Sequence, residues 1–313
     1  MILLNWLRKL WVKMMNNYHN PVLLKESVRG LNINDEGIYV DVTFGGGGHS
    51  KEILHNLSEN GKLISFDQDP DTFENVFNDK RFHFINENFT HMKKFLKNIG
   101  FTKVNGILAD LGVSSYQINK PERGFSYRYD SALDMRMDKE GSNDAFRIVN
   151  SYSKEKLANI LFDFGDLKNS KKISEHICKK RAEKEIKTTF QFNSVLKPLF
   201  PERYLNKNLS KIYQAIRIEV NNEIGVLKSF LQQSSELLVA GGRLSVISYH
   251  SIEDRIVKRF LKNGSFSKEV EKDFYGNFSV PFKKIGPLIS PSDQEVKINK
   301  RSRSAKLRIA EKN

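Results

Sequence analysis

Short apolar runs punctuated by turn residues organise the first third of the chain. Ile38-Tyr39-Val40-Asp41-Val42 alternates apolar and polar positions and reads as a strand. Four consecutive glycines, Gly45 to Gly48, break it, and Ile53, Leu54 and Leu57 then share one face of a helix. Leu63-Ile64-Ser65-Phe66 forms a second strand that ends on Asp67. Arg81-Phe82-His83-Phe84-Ile85-Asn86 supplies a third strand and Asn105-Gly106-Ile107-Leu108-Ala109-Asp110 a fourth. Between them Met92, Phe95, Leu96 and Ile99 recur at helical spacing. Strands alternating with helices predict a parallel sheet covered on both faces.

The alternation then stops. From residue 119 to 210 helical patterns with basic runs dominate, and no strand is evident. A long amphipathic helix follows, carrying Ile212, Ile216, Val220, Ile224 and Leu227 and ending at a C-cap on Gly241-Gly242. Leu244-Ser245-Val246-Ile247-Ser248 resumes the strand pattern. The expected architecture is an α/β core of residues 17–118 and 211–313, Rossmann-like, interrupted by a helical insertion over 119–210. Ala305, Leu307 and Ile309 alternate within the C-terminal segment, predicting a terminal strand. That segment, Lys297 to Asn313, holds seven basic residues against Glu311 alone. Its charge either faces RNA or keeps an edge strand solvated. Internal repeats are absent.

Residues 1–16 stand apart. Leu3, Leu7, Leu10 and Met14 form a helical stripe beside Trp6 and Trp11, but Arg8, Lys9 and Lys13 interrupt it. The run is too short to span a bilayer and lacks a signal-peptide pattern. It is either an amphipathic surface anchor or an N-terminal extension from a start assigned upstream of Met15.

Composition narrows the class. With 313 residues, 39% hydrophobic and 22 Phe, the chain can bury a substantial core. A formal charge of +14 points to a polyanionic partner, with RNA, DNA and an anionic membrane as options. A merely solubilising basic surface is the competing explanation. The single cysteine, Cys178, excludes an internal disulfide and a cysteine-based zinc cluster, and suits a reducing cytoplasm. No metal site is expected.

Open parallel sheets bind ligands beyond the carboxyl ends of their strands. Four such ends carry chemistry: Gly45 to His49, Asp67, Asn88-Phe89, and Asp110 to Gly112. Glycines allow close backbone approach, and an acid 20 residues after Gly47 can take ribose hydroxyls. The turn reads Gly45-x-Gly47-x-x-Ser50, so the third glycine of a dinucleotide fingerprint is missing. Phe89 suits stacking on an adenine, and Asp110 can reach a methionine ammonium. S-adenosylmethionine is therefore expected in preference to a nicotinamide.

These residues carry a family resemblance. Asp41 to Ser50, Asp67-Gln68-Asp69-Pro70, Gly106 to Ser115, Glu122-Arg123-Gly124-Phe125-Ser126 and Leu133 to Asp138 are similar to the bacterial MraW/RsmH family. So are Gln214-Ala215-Ile216-Arg217-Ile218, Gly241 to Arg255 and Arg301 to Ala310, in the same order. The resemblance implies an S-adenosylmethionine-dependent methyltransferase fold. It also implies methylation of N4 of a cytidine in the decoding region of 16S rRNA, in the small ribosomal subunit and not DNA. It implies cofactor contacts at Gly46, Gly47, Gly48, His49, Asp67, Phe89, Asp110 and Gln117, the last on resemblance alone. Gly46 stands where a larger residue is common, and Tyr116 replaces a usual proline.

Cytosine N4 is conjugated into its ring and nucleophilically poor, so positioning should dominate and its proton needs an acceptor. Asp110 is the candidate, against a purely cofactor-binding role. Tyr249, His250 and Ser251 are expected to wall the substrate side, with His250 either catalytic or a framework residue; His49 is read as a cofactor contact or cap. Arg123, Phe125, Asp134 and Arg136 are candidates for shaping the cytidine pocket, unless Asp134 and Arg136 only pair with each other. Eight basic residues between Lys168 and Lys187 offer phosphate contacts or a solvated helix face. The target base must be unstacked or single-stranded. No Asn-Pro-Pro-Tyr motif is present. Another nucleic-acid base as target, or a non-catalytic assembly factor, are the rival functions.

Overall fold

Four parallel strands account for the pattern of the first hundred residues: β1 (Ile38–Asp41), β2 (Lys62–Phe66), β3 (Phe82–Ile85) and β4 (Val104–Asp110). They belong to a computed structural model that describes residues 21–267 and 280–313, so the segment 1–16 lies outside the described residues. β5 (Leu238–Ser248) continues the parallel set. Two antiparallel strands, β6 (Phe282–Ile289) and β7 (Lys306–Lys312), complete a seven-stranded sheet ordered β3-β2-β1-β4-β5-β7-β6. The chain runs outward from β1 to β3 and returns to β4, which places the switch point between β1 and β4. Ligands bind at the carboxyl ends of strands flanking such a point.

The chain forms two compact units, one up to Gly112 together with Leu227–Asn313, the other Val113–Val226. In the first, strand alternation sends side chains to opposite faces. Tyr39, Leu63 and Leu108 pack with Ile53 and Leu54 of the helix Gly48–His55. Val40, Ile64 and Ile107 pack on the other face with Met92, Leu96, Leu227, Phe230 and Leu231. Both faces are covered, as the near-continuous apolar strands require.

The second unit is helical. Helices Ala145–Ser151, Lys154–Asp163, Ser170–Glu183, Thr189–Leu196 and Glu202–Val220 enclose Leu157, Leu161, Ile173, Ile177, Phe192, Ile212 and Ile216. Their starts are specified locally. Ser153 accepts from the Lys156 N–H, and Thr188 and Gln191 form a capping box. Ala132 and Thr188 make an isolated bridge, and no strand occurs among the described residues 113–226.

Three expectations are corrected. The long helix is two, Glu202–Val220 and Glu223–Leu237. Asn222 adopts a left-handed φ of 47°, and the Asn221 amide bonds Met137 N–H and Met135 C=O, so a side-chain anchor stops a periodicity that continues past it. Gly241-Gly242 is no helix cap. It lies inside β5, where the register against β4 jumps from Val104–Leu238 to Gly106–Arg243. β6 went unrecognised because Gly286-Pro287 and two lysines disrupt any alternation, which an edge strand tolerates. Its presence puts β7 inside the sheet, so the basic C-terminal segment does not protect an edge. Among the described residues no helix is long and apolar enough to cross a membrane.

Asp254, early in the helix Ser251–Asn263, ties that helix to β7. It accepts from Arg308 Nε at 2.7 Å and lies 3.4 Å from Lys306 Nζ. Burial pushes its pKa up, but Arg308 and Lys306 outweigh burial and hold it below the usual carboxylate value. A depressed folded value gives stability that is present above the unfolded pKa and lost as pH falls through the folded one. Asp254→Asn should therefore cost about 1–3 kcal/mol at neutral pH. In urea unfolding that deficit should shrink in acid; an equal deficit at pH 3 would refute the pairing.

Candidate active site

Beyond β1 the backbone turns sharply. Gly47 caps the following helix at φ 74°, a left-handed conformation that a Cβ would strain, and its N–H donates to Phe44 C=O at 2.7 Å. Gly48 has a different reason to be glycine: a Cβ there would come within 2.1 Å of Pro21 Cγ. Gly46 is unlike both, since a Cβ there meets nothing within 4 Å. Open space therefore faces this bare stretch of backbone, and a larger residue would fit.

Three carboxylates stand at the ends of three neighbouring strands: Asp67 after β2, Asp41 on β1 and Asp110 on β4. Asp67 braces the turn. One oxygen accepts from Gly45 N–H at 2.8 Å and the other from Asp69 N–H at 2.9 Å. Asp41 is wholly buried and accepts from Ser50 Oγ at 2.7 Å and Thr43 N–H at 3.1 Å. Thr43 Oγ1 in turn accepts from Asp110 N–H at 2.7 Å. Asp110 Oδ1 accepts from the Tyr249 hydroxyl at 2.7 Å, and His49 Nδ1 lies 3.9 Å from its other oxygen. His49 Nε2 faces Val22 C=O at 3.2 Å, which fixes the ring.

Burial raises the pKa of all three acids. Burial, reinforced by the charges of Asp69 and Asp41, pushes Asp67 up to about 7 despite its two N–H donors. Burial, reinforced by Asp41 and Glu253, pushes Asp110 up to about 6 against the opposing pull of His49 and Tyr249. Burial also raises Asp41. The Tyr249 hydroxyl is held well above its ordinary value by burial and by Asp110, so it remains a donor.

The carboxyl end of β5 is a framework. His250 caps the helix Ser251–Asn263, its Nδ1 accepting from Glu253 N–H at 3.4 Å, while Glu253 accepts from Tyr249 N–H at 2.9 Å. His250 is thus built into a helix start. Ser251 is exposed in the first turn. Phe89 follows β3 and rests edge-on against Phe230, with ring centroids 5.6 Å apart. Asn86 ties that strand end to β2 by donating to Asp67 C=O at 2.7 Å.

The remaining candidates lie in the second unit. Gln117 is buried, its Oε1 accepting from Ser114 N–H at 3.0 Å. Arg123 is buried too, donating to the carbonyls of Arg136 and Met137, with its guanidinium over the Phe125 ring. Asp134 and Arg136 form a two-pronged ion pair at 2.8 Å per contact. All three charged groups order their own loop.

Asp41, Thr43, Ser50 and Glu253 were not singled out from sequence. Asp41 had a legible signal, a polar residue ending an apolar strand before a glycine run. Glu253 stands three residues after the His250 cap, the capping-box spacing. Thr43 and Ser50 had none, because their roles depend on strand neighbours.

The donor set fits S-adenosylmethionine. Three clustered carboxylates would repel a pyrophosphate, whereas a sulfonium and an ammonium relieve their mutual repulsion. Asp67 suits a ribose diol, and the open backbone at Gly46 admits a close ligand. Sheet order, glycine turn and acidic strand ends together define a Rossmann-like, S-adenosylmethionine-dependent methyltransferase. The sequence pattern of the MraW methylase family matches residues 16–313, and the chain belongs to that family. It is 60% identical over 295 residues to the ribosomal RNA small subunit methyltransferase H of Flavobacterium johnsoniae, covering 94% of this chain and 98% of that protein. To the protein of the same name from Bacteroides thetaiotaomicron it is 51% identical over 296 residues, covering 94% and 97%.

Asp67→Asn places an amide donor against one of two N–H donors. It should weaken S-adenosylhomocysteine binding about tenfold or more, read by calorimetry. Because the folded pKa of Asp67 is raised, its stabilising share is full in acid and lost as pH rises through about 7. The variant should therefore flatten the decline in ligand-free stability between about pH 4 and 7, and an unchanged decline would refute this.

Proposed function

We propose that this chain transfers a methyl group from S-adenosylmethionine to N4 of a cytidine in the 16S rRNA of the small ribosomal subunit. Family membership and the relatives' shared name support the substrate class. The observation that carries the chemistry is Asp110. It is a carboxylate at the switch point, hydrogen-bonded by Tyr249 and raised to about 6. S-adenosylmethionine supplies an electrophilic methyl on a sulfonium. Asp110, oriented by Tyr249 and by Thr43 beneath its backbone, accepts the proton that N4 gives up. At neutral pH it is ionised, yet basic enough to take a proton. The glycine turn, His49, Asp67 and Phe89 hold the cofactor, with Gln117 assigned on family resemblance.

The second unit supplies RNA contacts in this reading, with Arg123, Phe125, Asp134 and Arg136 as its candidate substrate residues. On and beside its helix Ser170–Glu183, Lys168, Lys171, Lys172, Lys179 and Lys184 are exposed. The other three cations of the run are engaged: Arg181 donates to the carbonyls of Val149 and Tyr152, Lys180 pairs with Glu183, and Lys187 pairs with Glu185. A lone cysteine and a ribosomal substrate support a cytoplasmic location.

The test is methyl transfer from labelled cofactor to undermethylated small subunits. N4-methylcytidine is expected, and another methylated base, or none despite cofactor binding, would overturn the proposal. Asp110→Asn should lower turnover about 10²–10⁴-fold with near-normal S-adenosylhomocysteine binding; lost binding would reduce Asp110 to a cofactor contact. In the wild type, kcat/KM should fall as pH drops below about 6, because protonation removes the acceptor.

A further inference from the structure

The C-terminal basic segment is not an edge shield, so its charge needs another reason. β7 lies between β5 and β6, and the edge strand β6 carries its own exposed Lys283, Lys284 and Pro287. Register shows where the charge goes. β7 runs antiparallel to β5 with Lys306 opposite Ser248 and Leu307 opposite Ile247. The residues preceding β7 therefore emerge at the carboxyl end of β5, the end that holds Asp41, Asp67 and Asp110. Neighbouring strands are about 4.8 Å apart, so this turn begins one strand width from Ser248 and the Tyr249 that orients Asp110.

The turn is built rather than loose. Residues Lys300–Ser304 form a short 3-10 helix, with Asn299 Oδ1 accepting from Arg301 N–H at 3.1 Å and Ser302 Oγ donating to Asn299 C=O at 2.8 Å. Ser302 and Ala305 are buried, while Lys300, Arg301 and Arg303 stand exposed, as does Lys297 on the preceding helix. Asp254 accepts from Arg308 and lies 3.4 Å from Lys306 Nζ, and Glu295 accepts from Leu23 N–H at 2.8 Å. Exposed cationic side chains thus stand at the end of the sheet that carries Asp41, Asp67 and Asp110.

We propose that Lys297, Lys300, Arg301 and Arg303 form a phosphate-binding rim that grips the RNA strand flanking the target nucleotide. The inference rests on the rRNA reading above. An extruded base brings its own phosphodiesters to the mouth of the site, where the acidic centre alone would repel them. The rim reverses that field without entering the cofactor site.

The test is salt-titrated filter binding of small-subunit rRNA, with S-adenosylhomocysteine present, to wild type, Lys300→Gln/Arg303→Gln and the charge-conserving Lys300→Arg/Arg303→Lys. Removing two contacts to a single strand should flatten the log K against log salt slope by about 1.4 and weaken binding roughly tenfold. The charge-conserving variant should bind like wild type. All three proteins should bind S-adenosylhomocysteine equally, which excludes misfolding. An unchanged slope, or an equal loss in the charge-conserving variant, overturns the rim. Because the readout is binding, it stands whichever base the wild type methylates, whereas the identity of the methylated nucleoside tests the other reading alone.

Discussion

Burial of Asp41, Asp67 and Asp110 at neighbouring strand ends is the constraint around which the first unit's site is arranged. Parallel strands end in one plane, so acids closing three neighbouring strands are forced together in a partly buried crevice. Each then resists ionisation, and Asp41, in the middle, raises both of the others. The surrounding polar groups answer that constraint: Ser50 and the Thr43 N–H on Asp41, two backbone N–H groups on Asp67, the Tyr249 hydroxyl on Asp110. Asp67 and Asp110 held this way stay available for charge, at about 7 and about 6.

Such an arrangement selects its ligand. A glycine turn at a helix N-terminus ordinarily welcomes phosphate. Here the acids reverse that preference locally and favour a cofactor bearing positive charge. In the proposed reaction, the burial that raises Asp110 to about 6 also equips it to accept a proton. The formal charge of +14 includes exposed lysines on the second unit's helices and exposed cations in the segment before β7.

Structural supports lie one layer out. Glu253 and His250 lock the start of the helix after β5 and thereby set Tyr249. Asp254 binds the same helix to β7 through Arg308.

Local pattern by itself determined much here. The five parallel strands, the glycine turn and the acids Asp67 and Asp110 were legible because strand alternation and turn chemistry are encoded within a few residues. Family-like blocks added the cofactor class and the target. Tertiary structure alone decided the rest. The break at Asn221-Asn222 depends on an amide reaching Met135 and Met137, far away in sequence. The glycine pair in β5 became a bulge because β4 pairs on both sides of it. Whether Asp134 and Arg136 face each other or a ligand, and whether the last basic segment lines an edge or the mouth of the site, are questions of register and neighbours. Periodicity reports which face of an element is apolar; only the packed sheet says what stands beside it.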